Sequence, residues 1–250
     1  MIDRLDHVVI LVQNLDTAIR DYTSLGFSVV PGGTHADGAT HNALISFRDG
    51  SYCELIAFLR EAPTHTWWKY QAIGEGLIDF ALLPSSIEAD MQAARERGLE
   101  LLGPTAGGRA RPDGITLSWK TGRALTGDLP FLCADMTARE LRVPSGAAWQ
   151  HANGVLGIAE LGIAVADVET SLTRYIALLG REPEHDGHTF ILAETRLRLL
   201  SPRDDASGKI QAHIQAYGEG PFGLTLRSMP HASNGAFDVE STHQVPIVIV

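Results

Sequence analysis

The chain has 250 residues and a formal net charge of −10, from 30 Asp and Glu against 20 Lys and Arg. Apolar residues make up 44% and charged residues 20%, so a sizeable core is expected and a disordered chain is excluded. The acidic balance argues against nucleic acid or an anionic membrane as the main partner, and two cysteines, Cys53 and Cys133, exclude a disulfide framework or a cysteine-rich zinc site.

The N-terminal residues show no signal-peptide pattern. No apolar run approaches the roughly 20 residues that span a bilayer. The expectation is a soluble cytoplasmic protein whose partner is a small molecule, with a homodimer as one assembly.

The first segment reads strand, helix, strand, strand, strand. Residues 5–12 are a β-branched apolar run. Asn14 caps a helix with Leu15, Ala18, Ile19, Tyr22 and Leu25 on one face, and Gly26 ends it. Residues 27–30 read as a short strand and residues 31–42 as a loop rich in Gly, Thr and His. A hairpin over 42–47 and 52–58 turns at Arg48-Asp49-Gly50. The order recurs with a strand at 77–83, a helix capped by Ser85 with Glu88 at capping-box spacing, and strands near 101–102, 115–120 and 129–134. A third unit has a strand at 157–165, a helix capped by Asp167, and strands at 189–192 and 196–200. A fourth opens at 221–227, and 245–250 is the last strand.

A longer repeat is clearer. Gln71-Ala72-Ile73-Gly74-Glu75-Gly76 returns as Gln215-Ala216-Tyr217-Gly218-Glu219-Gly220, 144 residues on. Val12-Gln13-Asn14-Leu15-Asp16 returns as Val165-Ala166-Asp167-Val168-Glu169, 153 residues on. The second copy is therefore nine residues shorter, and the loss falls near the equivalent of 31–42. The expected architecture is α+β, with repeated βαβββ modules forming curved, partly open mixed sheets around a cavity. Residues 1–140 form an N-terminal module pair and 150–250 a shortened C-terminal pair.

This pattern resembles the vicinal oxygen chelate superfamily, which includes glyoxalase I, extradiol dioxygenases and bleomycin-resistance proteins. The residues that carry the likeness are the opening LDHVVILVQNLDTAIRDYTSLGFSVVPGG and the strand YCELIAF. His35 and Asn42, then Arg109, Arg111, Pro112, Asp113, Gly114 and Trp119, then Pro130-Phe131-Leu132, resemble its glyoxalase-like domain subgroup. The likeness departs at Thr40-His41 and at Ala134.

The resemblance implies a divalent metal (Fe2+, Mn2+, Zn2+ or Ni2+) held inside the cavity by the first and fourth strands of each module. Those positions are His7, Glu54 and Asp79, with Ala134 opposite Glu54. A charge facing a core costs several kcal/mol unless it is paired or metal-bound, and one imidazole with two carboxylates suits such metals. An ion pair between His7 and Glu54 and a structural role for Asp79 explain the same residues. His41 is a further ligand or general base if it points inward. Asn42, Arg109, Arg111 and Trp119 are the candidates for holding substrate, a guanidinium being suited to a carboxylate or enolate. In the second half His7 becomes Glu160 and Glu54 becomes Arg198, read as a salt bridge in a degenerate site.

The expected function is a metal-dependent lyase or isomerase acting on a small substrate with adjacent oxygens. The alternatives are a metal-free sequestering protein of the bleomycin-resistance type and an extradiol-type dioxygenase. In the enzyme reading His41 and Glu54 carry the catalysis.

Overall fold

The computed structural model describes residues 2–230 and 234–250. His231, a histidine without ligand spacing, lies outside the described residues. The elements in chain order begin with β1 (Ile2–Leu11), α1 (Leu15–Ser24), β2 (Val30–His35), β3 (Thr40–Ser46) and β4 (Tyr52–Phe58). The second module has β5 (Gly76–Pro84), α2 (Ile87–Glu96), β6 (Leu101–Ala110), β7 (Thr116–Ala124) and β8 (Phe131–Asp135). A short helix α3 (Arg139–Arg142) lies in the connection. The second half has β9 (Val155–Ala164), α4 (Val168–Leu179), β10 (Thr189–Leu192), β11 (Thr195–Leu200), α5 (Lys209–Tyr217), β12 (Gly220–Ser228), β13 (Gly235–Ala236) and β14 (Ile247–Ile249).

The first two modules form a closed barrel in the order β1-β4-β3-β2-β6-β7-β8-β5. Two seams join the modules: β1 runs antiparallel to β5, and β2 meets β6 through Thr34 opposite Ala110 and His35 opposite Arg109. The second half is a six-stranded sheet, β10-β11-β9-β12-β14-β13. Its first module has one strand fewer than its counterpart, where the sequence is nine residues shorter.

Local chemistry explains the helices. Asn14, Ser86 and Asp167 each accept a backbone N–H of the first turn, satisfying a donor that the helix itself leaves free. Ser86, not Ser85, is the cap of α2. Helices α1, α2 and α4 bury apolar faces against the outer side of the sheets, and both halves share one core. Tyr22 of α1 donates to the Thr242 carbonyl, and Tyr175 of α4 donates to the Asp128 carbonyl, so each half anchors a buried tyrosine in the other.

Two expectations change. Part of the segment 31–42 is strand. Its glycines suggest a loop, but they are small because the barrel presses on them. A Cβ on Gly32 would lie 2.0 Å from an Arg109 guanidinium nitrogen, and one on Gly33 would lie 1.9 Å from the Ala110 carbonyl oxygen. In the second half Glu160 pairs with Arg196 at 3.4 Å, not with Arg198. The register sets Arg196 opposite Glu160 and Arg198 opposite Gly162.

Candidate functional site

The barrel encloses a cavity of about 400 Å³. Its wall includes His7, His35, Asn42, Tyr52, Glu54, Trp67, Arg109, Trp119, Arg123 and Phe131. Strand alternation selects these side chains. Tyr52 and Glu54 point in, while Cys53 points out into the apolar core. Phe131 and Cys133 point in, so Ala134 does not.

Glu54 is the centre of the polar group. It is 5% exposed, and its Oε1 accepts a hydrogen bond from Asn42 Nδ2 at 2.5 Å. His35 Nε2 stands 3.4 Å from Oε1, and His7 Nε2 stands 3.6 Å from Oε2. Burial alone would raise the Glu54 pKa. The His35 and His7 rings, the Asn42 N–H and the Arg109 guanidinium outweigh it and hold the pKa below the usual glutamate value. Glu54 is therefore a carboxylate at neutral pH.

His7 is oriented from behind. Its Nδ1 lies 2.7 Å from Asp6 Oδ2, and Asp6 is fully buried. Burial would raise the Asp6 pKa, but Arg142, His7 and Arg139 together hold it well below the ordinary value. As Asp6 is ionised it can only accept, so His7 donates its Nδ1–H to Asp6 and turns Nε2 towards Glu54. A register shift between Leu5 and His7 in the β1–β5 ladder lets these adjacent residues meet. Arg139 and Arg142 come from α3, so the connection between the halves braces the cavity. His35 is a neutral imidazole at neutral pH, since burial holds its pKa below the usual value despite Glu54. Its Nδ1 lies 2.8 Å from Thr40 Oγ1.

The other expected residues are placed differently. Thr34 and His41 are directly paired across β2 and β3, so they share one face and His35 takes the other. His41 therefore lies outside the cavity wall. Asn42 joins Glu54 to Arg109, donating to the first and accepting from the second at 2.9 Å. Arg109 is 2% exposed and also donates to the Arg142 carbonyl. Arg111 is turned away, bonding Asp113 and the Leu141 carbonyl. Trp119 lines the cavity edge-on to His35. The sequence names His35 only through the family likeness, with His41 preferred as base or ligand, and gives no sign that Asp6, Trp67 and Arg123 join this group.

Asp79 is the counterpart of His7. The ladder sets His7 opposite Ala81 and Val9 opposite Asp79, a pairing that a local two-fold axis maps onto itself. The same axis relates Val9 opposite Glu54 to Ala81 opposite Phe131. The counterpart of Glu54 is thus Phe131, not Ala134. Asp79 Oδ2 accepts from Trp67 Nε1 and from Arg123, each at 2.7 Å, and Oδ1 accepts its neighbour's backbone N–H.

This donor set does not fit the divalent metal that the superfamily resemblance implies. The Glu54 carboxylate lies between the two imidazoles, with one oxygen towards each. Asp79 is closed by Arg123 and Trp67, and the fourth position is a phenyl ring. Among the described residues no group of three or more His, Cys, Asp or Glu side chains is arranged to hold a metal ion.

A curved two-module barrel with its polar group on the first and fourth strands is the vicinal oxygen chelate architecture. The chain belongs to the glyoxalase-like domain family, whose model matches residues 5–179. No curated protein matches it in sequence. Among solved structures it is similar to a hypothetical protein from Staphylococcus aureus, with a TM-score of 0.76 and 14% identity over 98% of both chains. It is also similar to a mutant of 4-hydroxymandelate synthase from Streptomyces coelicolor, with a TM-score of 0.62 and 14% identity over 92% of this chain and 72% of that one. A fusion of a xylose isomerase-like TIM barrel with 4-hydroxyphenylpyruvate dioxygenase gives a TM-score of 0.54 and 14% identity, over 92% of this chain and 37% of that one. At these identities the likeness shows the fold. Among the described residues no helix is long and apolar enough to cross a membrane.

Proposed function

We propose that the protein is a lyase or isomerase that moves a proton on a small oxygen-bearing molecule in the barrel cavity, with Glu54 as the base. The observation that carries this reading is the ionised Glu54 carboxylate, inside the cavity and flanked by His7 and His35 at 3.6 and 3.4 Å. A carboxylate removed from water costs several kcal/mol unless it is compensated. A pocket that only sequesters apolar ligands has no use for such a group, whereas proton transfer requires one within reach of substrate.

The geometry gives each residue a task. Asn42 fixes the direction of the carboxylate. A carbon acid beside a carbonyl group gives its proton to Glu54, which returns it to a neighbouring carbon or oxygen of the same molecule, with the neutral His35 ring beside the carboxylate. Asp6 keeps the His7 ring in one orientation, with Nε2 towards the reacting group. The walls of Trp67, Trp119 and Phe131 limit water around the charge. A second reading, ligand binding without chemistry, draws its support from Phe131 at the place equivalent to Glu54.

The test is solvent deuterium incorporation, followed by proton NMR, into a panel of small 2-oxo acids, 2-hydroxy acids and ketones. Chelator-treated wild type should exchange at least one of them. Glu54→Gln should slow that exchange by about 10²–10⁴-fold, the usual scale for a positioned base. Equal exchange by both proteins would overturn the assignment, and binding without exchange would favour the second reading.

A further inference from the structure

We propose that Arg123 is the anion-binding residue of the cavity and that the molecule it takes is a small carboxylate. This deepens the proton-transfer reading and rests on it for the identity of the site.

Three guanidinium groups line the cavity, from Arg109, Arg123 and Arg142. Two of them have both terminal nitrogens engaged, and of these only the buried Nε of Arg109 lacks a hydrogen-bond partner among the described residues. Arg142 is 3% exposed and binds Asp6, Asp135 and the Tyr52 hydroxyl. Arg109 is 2% exposed, with its terminal nitrogens on Asn42 and the Arg142 carbonyl. Arg123 differs. Its side chain is 34% exposed, and one terminal nitrogen binds Asp79. Its other terminal nitrogen and Nε make no hydrogen bond among the described residues. A guanidinium with free donors on one edge is the shape that takes a carboxylate bidentately.

The residue is also held in place. Asp79 grips it from one side, and Trp67 steadies Asp79 through the same oxygen. The guanidinium carbon lies 4.8 Å from the centre of the Phe131 ring. That ring meets His7 edge-on at 5.3 Å. Phe131 therefore has Arg123 and His7 as neighbours, and a small carboxylate on Arg123 would extend across it towards His7 and Glu54.

This explains why the donor set does not suit a divalent metal. Asp79, one of the residues that the resemblance assigns to a metal, binds Arg123 instead. The positive charge that receives substrate oxygen is supplied by a side chain.

The experiment compares benzoate with benzamide, two probes of one shape that differ in charge, by calorimetry and by tryptophan emission. Wild type should bind benzoate about tenfold more tightly than benzamide, as expected for a charged hydrogen-bonded pair. The double variant Arg123→Met with Asp79→Asn removes both charges together and should abolish the preference. Arg123→Lys, which keeps the charge and loses the fork, should retain part of it. In Glu54→Gln the preference should persist while proton exchange is lost, so the anion site and the base fail separately. Equal affinities in wild type, or an unchanged preference in the double variant and in Arg123→Lys, would overturn the proposal. So would the absence of benzoate binding at roughly tens of millimolar.

Discussion

His7 and Asp79 occupy equivalent places on either side of the local two-fold axis that pairs β1 with β5, and of the two only His7 lines the cavity. The two sites have diverged through their neighbours. His7 has Asp6 behind it and Glu54 in front, at a separation that leaves its ring nitrogen facing the cavity. Asp79 has Arg123 and Trp67 on the oxygen that would otherwise face inwards. In the proposed reading one module keeps the reactive group, and the other supplies a fixed cation.

Asp6 should be the most sensitive polar residue in the barrel. It is fully buried and bonded to Arg139, Arg142 and His7. Asp6→Asn leaves two arginines partly uncompensated and should cost about 3–5 kcal/mol in denaturant unfolding, the range for breaking a buried ion pair. A loss below about 1 kcal/mol would show that solvent reaches this cluster.

Gly32→Ala should disturb the site while leaving every charged residue of it unsubstituted. The added methyl would lie 2.0 Å from the Arg109 guanidinium and 2.1 Å from Asn42 Oδ1. We expect a destabilisation of about 1–3 kcal/mol, typical of overpacking. Because Asn42 orients Glu54, proton exchange should fall as well. Unchanged stability and exchange would mean that Arg109 has room to withdraw.

Stability should fall on mild acidification. Burial holds the pKa values of His35, His151 and His213 below the ordinary value of 6.5, with His213 at about 4. The unfolded chain takes up protons near 6.5 and the folded chain only at lower pH. Between those values the unfolded state binds more protons, so stability drops as pH falls. His213 packs on Tyr217 and Phe222 through its ring. His213→Phe should flatten the stability profile between pH 6.5 and about 4, as read by urea unfolding at a series of pH values. An unchanged slope would assign the acid sensitivity elsewhere.

Much of this arrangement is legible in the sequence, and the failures have physical causes. Helix α1 is announced by Asn14 and by its apolar face, because capping and periodicity are local. The alignment of His7 with Asp79 follows from matching strand starts, and the ladder agrees with it. Glu54 is visible as a charge interrupting an apolar strand. Strand β2 was hidden because its glycines answer to Arg109 and Ala110, distant in sequence. The choice of His35 over His41 depends on the parity of a hairpin whose register is set by that same strand. Arg123 and Asp6 could not be recognised from spacing, since their partners Asp79 and Arg142 lie 44 and 136 residues away.

The central claim is that the cavity works through Glu54 and its imidazoles rather than as a metal cradle. The most direct measurement titrates chelator-treated protein with Mn2+, Fe2+, Zn2+ and Ni2+ by calorimetry, with His7→Ala and Glu54→Gln alongside. The account predicts no stoichiometric binding that depends on either residue. It also predicts no metal-dependent rise in thermal stability, whereas metal at 100 times its Kd would add about 2.7 kcal/mol. One equivalent of metal bound tightly by wild type and lost in both variants would contradict it.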